Sequence, residues 1–588
     1  MQLRFFRIYG MIVKPRRMHV ARIERVYKGK TYVTHLLRRS YREGSQVKHE
    51  TLANLSHLPD RLIDIVRRSL QGEQFASTSE RFGVTRSTPH GHVEAVLGTI
   101  RRLGLDTLLA AKPSRQRDLV LAMIAERILF PCSKLATTRH WHSTTLAEEL
   151  AVSDAEPNEL YAAMDWLLSR QTAIETKLAH EHLREGALVL YDVSSSYYEG
   201  KTCPLARYGH DRDGKKGLPI LVYGLLTDGE GRPVAVEVYP GNTADPTTVP
   251  DQVNKLRQRF GLERVVLAGD RGLLTETQIQ DLKKHPGLGW IGALRSHSIR
   301  DLLEKGHLQR SLFDEVNLAE ITSPEYPGER LIACFNPLLA DERRRKRNEL
   351  LVKTEEKLTA LAQEVARRTQ TPLRQTEIAL KAGRHINHWK MAKHFRLTIA
   401  DGVFQWERDG GSITQEEQLD GIYVIRTSEP KRRLSAADTV RSYKRLAQVE
   451  QAFRSLKGID LLVRPIYHRV SPRVRAHIFL CMLAYYIEWH LRRAWAPLLF
   501  ADEDLVEDRV TRDPVAPAEA SESATIKKKT RRTAEGWEVH SFRTLLAELG
   551  KRCRNHCLIT CDEPEATFTQ ITDRSPLQEE AMRLLGLL

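Results

Sequence analysis

The 588-residue chain has no long hydrophobic run. Its longest, IFLCMLAYYI at 478–487, stops at Glu488 after ten residues. A membrane-spanning helix needs about 20, so an integral membrane protein is excluded. The N-terminus shows no apolar signal core either, because Gly10, Lys14, Arg16 and Arg17 interrupt it. Cysteine is scarce, at seven, an odd number scattered along a long chain. That argues against a disulfide framework and for a reducing compartment. Cys553, His556, Cys557 and Cys561 crowd together, but without the paired CxxC spacing of a zinc site. Acidic residues are in deficit, with 75 Asp+Glu against 91 Lys+Arg and a net charge of +16. Apolar content is not lacking: 41% of residues are hydrophobic, which excludes a wholly disordered chain.

The positive charge is concentrated. Residues 1–50 hold thirteen Lys/Arg and three Asp/Glu, a density that points to a polyanion partner such as nucleic acid. Residues 18–53 alternate apolar and polar around Gly29 and Gly44 and predict a small basic β-meander. Helical periods follow over 59–110, with Pro89 marking a boundary. We read 1–110 as a basic DNA-binding domain and 111–185 as a helical segment.

The texture changes at 187. ALVLYDVSSSYYEG, LPILVYGLLTD, RPVAVEVYPGN, RVVLAGDRG and GWIGALR read as strands, with helical segments between the later ones. The order β-β-β-α-β-α-β is that of an RNase H-like α/β core. Its first part spans 186–295 and its second part 419–500. Between them, 296–418 reads as a large, mainly helical insertion. It contains the charged helix 342–368, which Pro372 terminates. That helix is expected either to dimerise or to lie on DNA as a hairpin. Residues 501–536 run acidic, then Pro/Ala/Ser-rich, then KKKTRR, and read as a linker. A C-terminal segment, 537–588, completes the chain.

Asp192 and Asp270 each stand where a core strand leaves its apolar run. In open α/β sheets, chemistry collects at the carboxyl ends of strands. Two carboxylates in one cleft repel unless a cation neutralises them, and hard oxygen ligands suit Mg²⁺ or Mn²⁺. A third carboxylate, Glu450, lies on YKRLAQVEQAFRSLKG (443–458), which predicts one helix. At ~100° per residue, Tyr443, Glu450, Arg454 and Lys457 form a polar edge. Leu446, Val449, Phe453 and Leu456 form the apolar stripe beside it, and Arg445 points away.

Asp192, Asp270 and Glu450, with an insertion before the glutamate, resemble the DDE transposases of bacterial insertion sequences, in particular the insertion-sequence-4-like superfamily. The hallmark helix of that group carries Tyr, Arg, Glu and Lys at fixed spacing. Tyr443, Glu450 and Lys457 match it, and Leu446 occupies the Arg position. The segment 209–245 is also similar to that between the two aspartates of such enzymes.

The resemblance implies a two-metal-ion nuclease and strand transferase with Asp192, Asp270 and Glu450 as both catalytic groups and metal ligands. It further implies Mg²⁺ or Mn²⁺ (two ions), terminal inverted repeats and target DNA as partners, a homodimer in the DNA complex, and a cytoplasmic, nucleoid-associated location in bacteria. No membrane association is expected. Tyr443, Arg454, Lys457 and Trp290 are the candidate DNA contacts, Trp290 as a platform for an unstacked base. Two other readings remain: an RNase H-like endonuclease or junction resolvase without strand transfer, and a non-catalytic DNA-binding derivative.

Overall fold

The computed structural model describes residues 18–73, 82–458, 460–504, 511–517, 519–559 and 566–588. The basic residues before Met18, the acidic run from 505 to 508 and Cys561 lie outside them. The chain divides into two compact units, Met1–Ser87 with Asn555–Gln570, and Thr88–Arg554 with Ile571–Leu588. The helix Gly91–Arg102, which the sequence groups with the N-terminal lobe, thus belongs to the larger unit.

In the smaller unit, β1 (Met18–Tyr27), β2 (Lys30–Glu43) and β3 (Gln46–Asn54) form the expected antiparallel meander. The first turn is the pair Lys28–Gly29, both at positive φ. A two-residue hairpin needs that conformation to match the strand twist. The strand β4 (Phe82–Pro89) follows the helix Asp60–Leu70.

The larger unit is built on β5 (Ala187–Tyr197), β6 (Ile220–Asp228), β7 (Pro233–Pro240), β8 (Val265–Ala268) and β9 (Leu288–Ala293). β5, β6 and β7 are antiparallel neighbours, while β8 runs parallel to β5 and β9 parallel to β8. Every residue of β6 is buried, as its near-continuous apolar sequence requires of a strand covered on both faces. The sheet does not end at β9. β10 (Leu318–Ile321) and β11 (Arg330–Phe335) join it through β14 (Ile422–Thr427), giving the order β10-β11-β14-β9-β8-β5-β6-β7.

The 296–418 segment is therefore less separate than its sequence suggests. Its first forty residues extend the core sheet, and edge strands exposed in mid-core are avoided in this way. The part that stands apart begins with the helix Pro337–Arg367. It packs with Gln375–His388 and a hairpin of β12 (Phe395–Ala400) and β13 (Val403–Arg408) around Leu351, Leu358, Leu361 and Ile378. Its root is pinned by Arg347, whose Nη1 and Nη2 donate to Asp420 at 3.0 and 2.6 Å. The strand β14 (Ile422–Thr427) then returns to β9.

The apolar run 478–487 lies inside the helix Ser471–Ala494, which packs on β7 and on the helices Arg115–Leu129 and Pro157–Ser169. The region 501–536 holds more structure than a linker. A helix, Glu522–Thr530, is capped by Ser521, and Lys527 of the KKKTRR run is buried against the Ala496 carbonyl at 3.1 Å. Finally β15 (Cys553–Ile559) and β16 (Ala566–Ile571) complete a small sheet with β4. Among the described residues, no helix is long and apolar enough to cross a membrane.

Candidate active site

Strand register brings the two aspartates side by side. β5 and β8 pair in parallel with Leu190 opposite Ala268. Asp192 and Asp270 each lie two positions further on, and adjacent strands are about 4.8 Å apart. Asp270 is held just past the end of β8 by a turn in which its Oδ1 accepts from the N–H groups of Gly272 (3.0 Å) and Leu273 (2.7 Å). Asp192 Oδ1 accepts from the Val193 N–H at 2.8 Å.

Glu450 arrives on the helix Leu446–Lys457, which packs against β5. Val449, Ala452, Phe453 and Leu456 are its buried face, and the Phe453 ring meets Tyr223 of β6 edge-on at 5.8 Å. A second anchor is polar. Ser455 donates to the buried carboxylate of Glu488 at 2.8 Å, and Arg492 binds the same carboxylate. This clamps the glutamate helix to the helix Ser471–Ala494 and leaves Glu450 exposed on the opposite side.

The electrostatics report the convergence. Burial, and then the charges of Asp270 and Glu450, push the Asp192 carboxyl up to about 7, against the Val193 N–H and Arg212. The Tyr443 hydroxyl is pushed up to about 12 by burial and by the same three carboxylates. Among the described residues, no Lys, Arg or His forms an ion pair with Asp192, Asp270 or Glu450. Nor are any three His, Cys, Asp or Glu side chains close enough together to grip one metal ion as they stand.

The family model described as "Transposase DDE domain" matches residues 194–487, half of the chain. The chain belongs to that family. A second model, "IS1634 family transposase, N-terminal domain", matches residues 20–80. The protein is thus a DDE transposase of an insertion sequence, an enzyme of the nuclease and strand-transferase class. The DDE match contains Asp270 and Glu450 and begins two residues after Asp192. Among solved structures the transposase is similar to a piggyBac transposase synaptic complex with hairpin DNA. The identity is 11% and the TM-score 0.30, over 76% of this chain and 88% of that one. No curated protein matches it.

Around the three carboxylates, the transposase departs from a continuous helix over 443–458. The chain breaks at Arg445, whose N–H is shared between the carbonyls of Arg441 and Ser442, both at 3.2 Å. Tyr443 therefore comes from the preceding helix, Ala436–Lys444. Arg445 turns to Glu230 Oε1 at 3.1 Å, in the β6–β7 turn. Leu446 is buried. Arg454 is exposed one turn beyond Glu450, with no ion-pair partner among the described residues.

Lys457 is not an open cation. It donates to Asp213 at 3.2 Å, and Arg464 binds the other oxygen of that carboxylate. Trp290 is fully enclosed on β9. Its carbonyl accepts from Thr427 Oγ1 at 2.6 Å, and Arg426 lies over its ring at 5.3 Å. With no ring face open, Trp290 cannot stack on a base in this conformation. It is a packing residue of the core sheet, not the open ring that the sequence leads one to expect at the DNA.

Two basic groups near the site went unnoticed in the sequence. Arg212, which moderates Asp192, pairs with Asp245. Arg271, which follows Asp270 directly, moderates Tyr443. The D-R-D run at 211–213 and the aspartate five residues after β7 were the available signals.

Proposed function

We propose that the transposase cuts DNA at the ends of its own element and joins the freed 3′-OH to target DNA, with Asp192, Asp270 and Glu450 holding two Mg²⁺ or Mn²⁺ ions. The donor set fits: three carboxylates, all hard oxygen ligands, and no cationic side chain ion-paired to them among the described residues. The observation that carries the reading is the Asp192 carboxyl, driven upward by burial and by its two acidic neighbours. An acidic cluster with no ion-paired counter-charge among the described residues suits a divalent cation. Such ions, when bound, supply Lewis acidity for in-line displacement at phosphorus.

The chain's own groups do the rest. Asp192, whose carboxyl is held up by burial and its acidic neighbours, would release its proton to water when a divalent cation binds. The Tyr443 hydroxyl keeps its proton at neutral pH and can donate it in a hydrogen bond to a phosphate oxygen. Arg454, exposed beside Glu450, meets the charge that builds on the scissile phosphate. Strand order supports an RNase H-like core, because β7-β6-β5-β8-β9 is a 3-2-1-4-5 arrangement with the last two strands parallel to the first. The spacing of Tyr443, Glu450 and Lys457 supports membership of the insertion-sequence-4-like superfamily. The basic meander β1–β3 is assigned to the terminal inverted repeats, and a homodimer to the bridging of two ends.

The test is cleavage of duplex DNA carrying the repeats that flank the element, with and without Mg²⁺ or Mn²⁺. Asp192→Asn, Asp270→Asn and Glu450→Gln should each abolish cutting and leave DNA binding largely intact. Metal-dependent cleavage that survives in Asp270→Asn overturns the assignment. Cutting without joining identifies a plain endonuclease.

A further inference from the structure

A cavity of about 590 Å³ opens beyond the far end of β5, between the segment 127–136 and the segment 462–477. Its polar lining includes Arg127, Lys134, Tyr161, Arg464, His468 and His477, and no Asp or Glu is among the residues that line it. Lys134 is 3% exposed and Arg127 is 6% exposed. The Arg127 guanidinium donates only to the carbonyls of Cys132 (3.0 Å) and Leu462 (3.4 Å), and its Nε has no partner. No hydrogen bond or ion pair holds Lys134 among the described residues. The carboxyl adjoining Arg127 in sequence, Glu126, is engaged by His140 Nδ1 at 3.0 Å.

Two buried basic side chains face one cavity, and the carboxylate whose charge reaches both, Glu126, does not line it. Burying basic groups is costly, and an anion entering the cavity would supply the negative charge that its lining lacks. The neighbours agree. Burial, and then Arg127, draw the Lys134 ammonium down to about 7. His468 is held down to about 3 by burial and the same basic groups, while the neutral His477 is already engaged through Nε2 with the Val463 carbonyl at 2.8 Å.

The cavity is also tied to the site. Arg464 shares Asp213 with Lys457, and Asp213 accepts from the N–H of Tyr197 at the end of β5. Tyr197 lies five positions after Asp192, roughly 17 Å along a strand, or about five base steps at 3.4 Å.

We propose that this cavity receives a backbone phosphate of the DNA strand bound at the Asp192–Asp270–Glu450 site, held by Lys134 and Arg127. The inference rests on the reading of the protein as a DNA-cutting enzyme. It is tested by binding rather than cutting, so the two can fail separately.

The experiment measures affinity of the full chain for duplex DNA carrying the element's ends across a salt series in EDTA, where no cleavage occurs. Each neutralised phosphate contributes about 0.9 to the log–log salt slope on duplex DNA. Lys134→Met should lower the slope by about that amount, weaken binding at low salt and leave the melting temperature unchanged or raised, because an unpaired buried cation is gone. Lys134→Arg should retain the slope, and Lys134→Gln supplies a second neutral variant should Met not fold. An unchanged slope and affinity in the neutral variants overturns the proposal. Inorganic phosphate that raises the melting temperature of the unaltered chain but not of Lys134→Met, with DNA affinity unaltered, assigns the cavity to a free anion and likewise overturns it.

Discussion

Lys457 donates to Asp213 across 3.2 Å, with both side chains largely closed to solvent, at 13% and 4% exposure. The lysine that the helix spacing marks as a phosphate contact is thus engaged inside the protein. Burial draws its ammonium downward, and Asp213 resists that. The Asp213 carboxylate serves three donors at once, Lys457, Arg464 and the N–H of Tyr197. Asp213→Ala leaves two cations uncompensated and should cost on the order of 3–5 kcal/mol. Lys457→Met leaves the other two donors in place and should cost clearly less. Urea unfolding of both variants decides the order.

Asp192 makes stability depend on pH in a stated direction. The unfolded chain releases this proton near the ordinary value of 3.8, the folded chain near 7. Between those values the folded state binds more protons, so stability falls as pH rises from about 4 to 7 and then levels. Asp192→Asn removes that slope and should gain up to roughly 4 kcal/mol at pH 8. Mg²⁺ or Mn²⁺ should raise the melting temperature of the unaltered chain at pH 8 and leave Asp192→Asn almost unmoved. Thermal scans at pH 5 and 8, with and without the ion, read both effects.

Arg445 and Arg454 stand nine residues apart with opposite duties. Arg445 ties the start of the glutamate helix to Glu230 and the Gly229 carbonyl. At 32% side-chain exposure, its removal should cost on the order of 1 kcal/mol of stability. Arg454→Ala should leave stability alone and slow cleavage at saturating DNA roughly 10²–10³-fold, the loss typical of one transition-state donor. A larger rate loss in Arg445→Ala contradicts the division.

The insertion has its own core. Leu358 is fully buried among Leu351, Leu361 and Ile378. Leu358→Ala should destabilise this region by about 2–5 kcal/mol. Hydrogen exchange should quicken along Pro337–Arg367 and Gln375–His388 while β5, β6 and β8 keep their protection.

What the sequence showed and what it hid divide along physical lines. Strands β5 to β9 are buried on both faces, and their apolar runs announce them. Asp192 and Asp270 were legible because each ends such a run. β10 and β11 were hidden, because a short strand that merely covers an edge needs no strong pattern of its own. The break at Arg445 was hidden too, since residues on both sides keep helical periodicity. Trp290 and Lys457 carry side chains that suit DNA as well as they suit a core. Only the enclosing partners, Thr427 and Arg426 for one and Asp213 for the other, decide between the two.

The three carboxylates also set a timetable. Glu450 follows Asp270 by 180 positions, because β10 to β13 and the helical insertion are translated between them. At 5–20 residues per second, the ribosome needs on the order of ten seconds or more to reach the glutamate after the second aspartate. During that interval the nascent chain carries two of its three acidic groups. A message cut short anywhere in the insertion yields a chain with the basic meander and two of the three carboxylates, lacking Glu450 and the helix that carries it.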